Sequence, residues 1–225
     1  MPDSDLVAAS ALGRAVYCPR QLYYARSNDD FSPPPEVLDR RELAFRYADL
    51  LDAADEALQS LPLAIEPPEF RENLALLTQR PDWESLVDPV DRDRTLTGKD
   101  VRGVAHKLLD GCDGPPTPVL VSGGVPPPEG VWEPQAIRAV ALAKALAWER
   151  GREVPQALVE YPAVGRVRSV SVTTRRAARY REALRTVRTL DGPPSRLDDD
   201  AKCDACDYQE QCGVKSRSLR SLFGL

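Results

Sequence analysis

Between Glu36 and Ser60 the apolar residues Val37, Leu43, Tyr47, Leu50, Leu51, Ala54 and Leu58 return at about 3.6 positions per turn, which predicts one long amphipathic helix. Ser4 to Arg26 also reads as helical, with Ser4 or Asp5 as cap. Pro19 is placed to open a second helix there, at a first turn where its missing N–H costs little. Ser32-Pro33-Pro34-Pro35 breaks the chain between the two segments. From Leu61 to Pro89 prolines interrupt the pattern and leave a short helix around Phe70 to Gln79.

The period then changes. Arg94 to Gly98, Val101 to Leu109 and Thr117 to Ser122 suit short strands separated by Gly, Asp and Pro turns. After the Pro126-Pro127-Pro128 loop, Pro134 to Arg150 reads as a helix with Ile137, Val140, Ala141, Lys144, Ala145 and Trp148 on one side and Gly151 as its stop. Val154 to Tyr161 and Arg166 to Val172 form a hairpin with Gly165 in the turn, and Thr173 or Thr174 caps a helix running to about Leu190. The order β-β-β-α-β-β-α, preceded by helices, predicts an α/β fold with a mixed sheet flanked by helices. It divides the chain into an N-terminal helical part (1–92), a central core (93–190) and a C-terminal segment (191–225).

Composition narrows the class. The 225 residues are 42% hydrophobic and 29% charged, the balance of a packed domain rather than a disordered chain. No apolar run approaches the roughly 18 residues that cross a bilayer. The first residues are acidic and lack the basic start of a signal peptide, so a cytoplasmic protein with no membrane partner is expected. The net charge of −5 argues against a chain that coats nucleic acid over its whole surface, and leaves room for a local basic groove.

Five cysteines in a cytoplasmic chain point to metal or free thiols rather than disulfides. Three form the pattern Cys203-x2-Cys206-x5-Cys212, whose first pair is spaced to share one metal centre. Three thiolates leave a tetrahedral or cubane site one ligand short. Cys18, far away in sequence, is the natural fourth, and its recruitment would clasp the two ends of the chain together. Spacing alone leaves zinc and an iron–sulfur cluster both open. Cys112 has no such pattern and reads as a free thiol.

Tyr17-Cys18-Pro19-Arg20-Gln21-Leu22-Tyr23-Tyr24 near the start, with the cysteine trio near the end, resembles the CRISPR-associated RecB-like exonucleases of the PD-(D/E)XK nuclease superfamily, over residues 8 to 215. The resemblance implies a restriction-endonuclease-like core and a [4Fe–4S] cluster on the four cysteines. It also implies a Mg²⁺ or Mn²⁺ site that cuts single-stranded DNA ends, with a CRISPR integrase or a partner nuclease as neighbour. That site calls for a His on the long helix, an Asp after a Gly on the second strand, a Glu-x-Lys on the third and a Gln on the next helix. The sequence departs from this set. Glu36 to Ser60 contains no His, His106 stands at the Asp position after Gly103-Val104-Ala105, and Leu120 and Ser122 stand where Glu and Lys belong. Gln135 matches the Gln. Leu cannot ligate a hard cation and Ser cannot replace a cationic Lys, so a degenerate, DNA-binding or scaffolding member is expected. The alternative enzyme recruits a shifted carboxylate from Asp100, Asp110, Asp113 or Glu133, with His106 and Gln135 beside it. A zinc-stabilised interaction domain is the third reading.

Between Arg166 and Arg188 there are eight arginines and one acid, Glu182. With Tyr180, Leu184 and Val187 turned inward, Arg175, Arg179 and Arg188 face outward and join Arg166 and Arg168 as candidate phosphate contacts; Lys215, Arg217 and Arg220 extend the charge. A solvated helix face gives the same pattern. Tyr23 and Tyr24 suit either base stacking or packing beside the cluster.

Overall fold

In a computed structural model describing residues 6–27, 33–110 and 116–213, the chain begins with a two-residue strand, β1 (Val7–Ala8), which leads directly into α1 (Ala9–Tyr17) and α2 (Pro19–Arg26). The expected first helix therefore starts later, because Val7 and Ala8 pair in parallel with Val101 and Arg102. Ser4, Asp5, Cys112, Asp113, Lys215, Arg217 and Arg220 lie outside the described residues.

The single long helix expected over 36–60 is replaced by α3 (Pro35–Glu42), a 3₁₀ turn (Leu43–Phe45), α4 (Tyr47–Leu51) and α5 (Asp55–Gln59). The breaks fall at Arg46 (φ −124°, ψ 8°), Asp52 (φ −103°, ψ 8°) and Ala54, which is extended. Its apolar positions are met in part: Leu43, Tyr47, Leu50 and Leu58 are buried, Val37 and Leu51 are half-buried, and Ala54 is exposed at a break. They are met by bending the chain over a sheet that twists, which one straight rod cannot follow. Next come α6 (Pro67–Leu77) and α7 (Trp83–Val87), the latter not foreseen.

The core elements follow the expected order: β2 (Asp91–Thr97), β3 (Val101–Leu109), β4 (Thr117–Val121), α8 (Glu133–Arg150), β5 (Gln156–Tyr161), β6 (Arg166–Ser171) and α9 (Thr174–Thr189). Two short helices, α10 (Asp200–Asp204) and α11 (Gln209–Cys212), close the described chain. The sheet runs β1-β3-β4-β5-β6, with β2 on the opposite edge of β3. β1/β3 and β4/β5 are parallel and the other pairs antiparallel, so this is a mixed six-stranded sheet flanked by helices. Local chemistry fixes the ends. The Thr173 hydroxyl accepts from the Arg176 amide at 3.3 Å to cap α9, and Gly151 ends α8 in the left-handed conformation (φ +63°).

Strand alternation splits the core in two. Leu120, Ala157 and Val159 pack with α1, α8 and α9 on one face; Val119, Val121 and Leu158 pack with the α3–α7 segment on the other. The expectation of one apolar side on α8 is too narrow. Ala136, Ile137, Ala139 to Ala143, Ala145 and Leu146 are buried around the helix, which lies between the sheet and α1 and α9, while Trp148 is 61% exposed. On the second face a charged pair is enclosed. Lys107 Nζ donates to Glu160 Oε1 at 3.0 Å and to the carbonyls of Ala44 (2.6 Å) and Leu86 (2.8 Å). No helix is long and apolar enough to cross a membrane among the described residues.

Candidate thiolate centre and a notch in the sheet

Cys18 sits at the joint between α1 and α2. It is extended (φ −160°, ψ 116°), its N–H closes α1 on the Arg14 carbonyl at 2.8 Å, and Pro19 starts the next helix. At the other end of the chain Asp199 caps α10 by accepting from the Lys202 amide at 3.1 Å. A turn with Cys206 N–H on Cys203 O (3.1 Å) follows, and α11 ends in Cys212 before Gly213 (φ +68°). Long-range contacts bring these segments together. Tyr17 Oη donates to Lys202 O at 2.9 Å, Arg20 to Pro194 O at 3.0 Å, and the rings of Tyr24 and Tyr208 stack at 6.3 Å. Tyr24 thus packs against the closing segment, the second of the two roles its sequence allowed.

The result is that Cys18, Cys203, Cys206 and Cys212, all half-buried, line one narrow cavity of about 20 Å³. Burial raises the Tyr17 pKa, and Cys206, Asp199, Cys18 and Cys203 raise it further, a sign of sulfurs gathered around one hydroxyl. Gln21 Nε2 donates to Cys206 Sγ at 3.7 Å. Among the described residues no three His, Cys, Asp or Glu side chains are grouped closely enough to hold a metal ion. The donor set is all sulfur with no hard oxygen, which suits zinc or an iron–sulfur cluster and not Mg²⁺ or Mn²⁺.

The second feature lies on the edge of β3 opposite β2. β1 covers that edge at Val101 and Arg102, and β4 covers it from Lys107 to Leu109. Residues 103–106 between them have no strand partner on that edge among the described residues. The side chain of His106 enters this notch, and its Nδ1 accepts from the Val121 amide at 3.0 Å. The proton is therefore on Nε2. Burial first, then the nearby guanidiniums of Arg41 and Arg138, push the His106 pKa down to about 3, so the ring is neutral at physiological pH.

Two of the positions singled out in the sequence meet here: His106 and Leu120 line the same cavity of about 410 Å³. Two others meet each other outside its lining: Gln135 Nε2 donates to Ser122 Oγ at 2.7 Å, and Tyr161 Oη donates to Gln135 Oε1. Asp100 is elsewhere: it pairs with Arg188 at 3.0 Å beyond the β2–β3 turn. Glu133 pairs with Arg179 at 2.8 Å. Among the described residues no carboxylate lines the notch.

The candidate phosphate-binding arginines do not form one open strip. Arg166 reaches Asn73 (3.3 Å) and Glu69 (3.7 Å), and Arg168 reaches Pro128 O at 3.4 Å. Arg179 holds Glu133 and Glu182, Arg188 holds Asp100, and Arg175 is exposed near the start of α9. The cations the sequence reading missed are those around the notch: Arg138 and Arg102, which line it, and Arg41 and Arg14 close by. One signal was available. Gln135, Arg138 and Leu142 stand at i, i+3 and i+7 of a helix otherwise rich in Ala and Leu, a stripe where a lone Arg is out of place.

No family model matches this chain, and no curated protein matches it. Among solved structures, one described as the crystal structure of SSO0001 aligns over 96% of this chain and 89% of its own at 13% identity, with a TM-score of 0.44. Similarity at that level carries no inference about function.

Proposed function

We propose that this chain is a cluster-bearing, RecB-like protein built on a PD-(D/E)XK-type core, which binds DNA ends and has lost metal-dependent hydrolysis. The observation that carries the reading is the meeting of Cys18, from the first helical joint, with Cys203, Cys206 and Cys212 around one cavity. Those four thiolates would hold a [4Fe–4S] cluster, and Gln21 would donate to one of the coordinating sulfurs, the kind of contact that tunes such centres. When bound, the cluster supplies structural cross-linking of the two chain ends.

In this reading residues 1–92 bring the first ligand and cover the sheet, 93–190 form the nuclease-derived core, and 191–225 complete the cluster segment. The positions where the resemblance expects Asp, Glu, Lys and Gln hold His106, Leu120, Ser122 and Gln135; the first two line one cavity and the last two hydrogen-bond to each other. A hard divalent ion needs several converging oxygens, and among the described residues the cavity offers no carboxylate. The role that remains is binding or scaffolding at DNA ends in CRISPR adaptation, beside an integrase or an active nuclease in the cytoplasm.

The test has two arms. Anaerobically purified protein should show a broad absorbance band near roughly 400 nm, with iron and acid-labile sulfide; colourless, zinc-loaded protein removes the cluster. Labelled single-stranded DNA with Mn²⁺ should be bound and left intact. Cleavage abolished by Asp100→Ala or Glu133→Ala would replace the binding role with an enzyme using shifted carboxylates.

A further inference from the structure

Two guanidiniums at or near the notch, those of Arg138 and Arg41, have no ion-pair partner among the described residues. Arg138 reaches it from α8 on one face of the sheet, and Arg41 stands near it from α3 on the other. The Nε atoms of both are enclosed and have no hydrogen-bond partner among the described residues. Asp93, on β2, acts on Arg41 without pairing with it. Enclosed guanidinium nitrogens without acceptors are costly, and a fold retains them where something else supplies the acceptors.

The positions are held firmly. A Cβ on Gly13 would lie 2.7 Å from Arg138 Cδ, so α1 passes directly over the stem of that side chain. Burial, then Arg41 and Arg14, bring the Arg138 pKa down to about 10, which still leaves it charged at neutral pH. The cavity holds further donors, beside the Ser10 and Thr95 hydroxyls, which can donate or accept. His106 presents Nε2–H, Arg102 lines the wall, and Ala9 and Ser10 open α1, whose first turn has no side-chain cap. Leu120 and Leu142 form the apolar remainder.

We infer that the notch between β1 and β4 is a metal-independent binding pocket for a phosphate monoester, held between Arg138 and Arg41 with His106 Nε2–H as a neutral donor. Cations approaching from both faces of a sheet suit a tetrahedral oxyanion, which has acceptors in every direction, better than a planar carboxylate. A volume of about 410 Å³ admits the phosphate together with part of what it esterifies. Two sources share this chemistry: the terminal phosphate of a nucleic-acid strand, and free phosphate or a small phosphate ester. The first source rests on the DNA-end reading above, whereas the pocket itself does not.

The experiment uses the full chain in chloride buffer without added divalent cation. Inorganic phosphate is titrated by calorimetry. Single strands of one sequence carrying 5′-phosphate, 3′-phosphate or hydroxyl ends are then compared by fluorescence anisotropy. Phosphate is expected to bind, and R138M and R41M are each expected to weaken it by about tenfold or more, the size of losing one charge-assisted contact. A similar preference for a phosphorylated end assigns the source to DNA. Phosphate binding without any end preference keeps the pocket and removes the DNA-end role. Failure of phosphate and of every phosphorylated strand to bind beyond the hydroxyl control overturns the pocket, and hydroxyl-ended DNA that still binds leaves the DNA reading standing. A folding readout covers a poorly behaved variant: wild-type protein should gain melting temperature with added phosphate, and R138M should be more stable than wild type without phosphate and unresponsive to it. A wild-type melting curve that ignores phosphate counts against the pocket.

Discussion

His106 Nδ1 accepts a hydrogen bond from the Val121 amide at 3.0 Å, so an imidazole takes the place of a backbone carbonyl where β3 and β4 part. The side chain thereby ends the ladder and opens the notch in the same contact. Because its pKa is lowered from 6.5 to about 3, the unfolded chain binds the proton more readily than the native one between those values. The native state therefore gains stability as pH rises through that window. The contribution should be complete above about pH 6.5 and should fall away as pH drops toward 3, by a few kcal/mol at most. Urea midpoints across pH 4 to 7 should show a slope that His106→Gln removes, and NMR should find no titration of this ring between pH 5 and 8.

The Lys107–Glu160 pair makes a separate prediction. Both side chains are fully buried; desolvation pulls the Lys107 pKa below its usual value and Glu160 opposes the shift, while the Ala44 and Leu86 carbonyls accept from Nζ. Lys107→Met alone strands a buried carboxylate and should cost about 3–5 kcal/mol. Replacing both partners with apolar residues of similar volume should recover most of that loss in denaturant unfolding. Equal losses in single and double variants would show that the pair's worth lies in packing.

Sulfur-to-oxygen exchange tests the clasp. Cys18→Ser and Cys206→Ser should each abolish the visible absorbance, and limited proteolysis should then cut the 191–213 region first, because that segment is tied down by few groups other than Tyr17, Arg20 and Tyr24. Loss of colour with unchanged protease resistance would show that the segment folds without its centre.

Gly103 is where α1, β3 and α8 come closest. A Cβ there would lie 2.7 Å from the Ala9 Cβ and 3.0 Å from Leu142 Cδ2. Gly103→Ala should destabilise the protein by about 1–3 kcal/mol through overpacking. Thermal melts of this variant beside Val104→Ala, at a more exposed neighbour, would separate that close approach from a general loss on β3.

Much of the core could be read from residue order. The β-β-β-α-β-β-α sequence, the Thr173 cap and the Gly151 stop are local signals with local causes, and they stand where expected. The 36–60 segment shows the limit of such reading. Periodicity picked out Leu43, Tyr47, Leu50 and Leu58 as buried, but not that the backbone would break at Arg46 and Asp52 and leave Ala54 exposed. The cysteine trio is compact enough to read directly, whereas Cys18 lies 185 residues from Cys203 and depends on how the whole chain folds. Arg138 left one local trace, a lone cation on the Gln135–Leu142 stripe of its helix, whereas Arg41 is ordinary in its own helix. Only the folded chain brings the charges of both to bear on His106.

Helix α1 touches both features, with Ala9 at the notch and Tyr17 next to Cys18. Nine residues of α-helix make a strut about 13 Å long, stiff along its axis. Oxidative damage that dislodged the sulfur end would shift the far tip as well, carrying a redox event into the arginine chamber across a single piece of secondary structure.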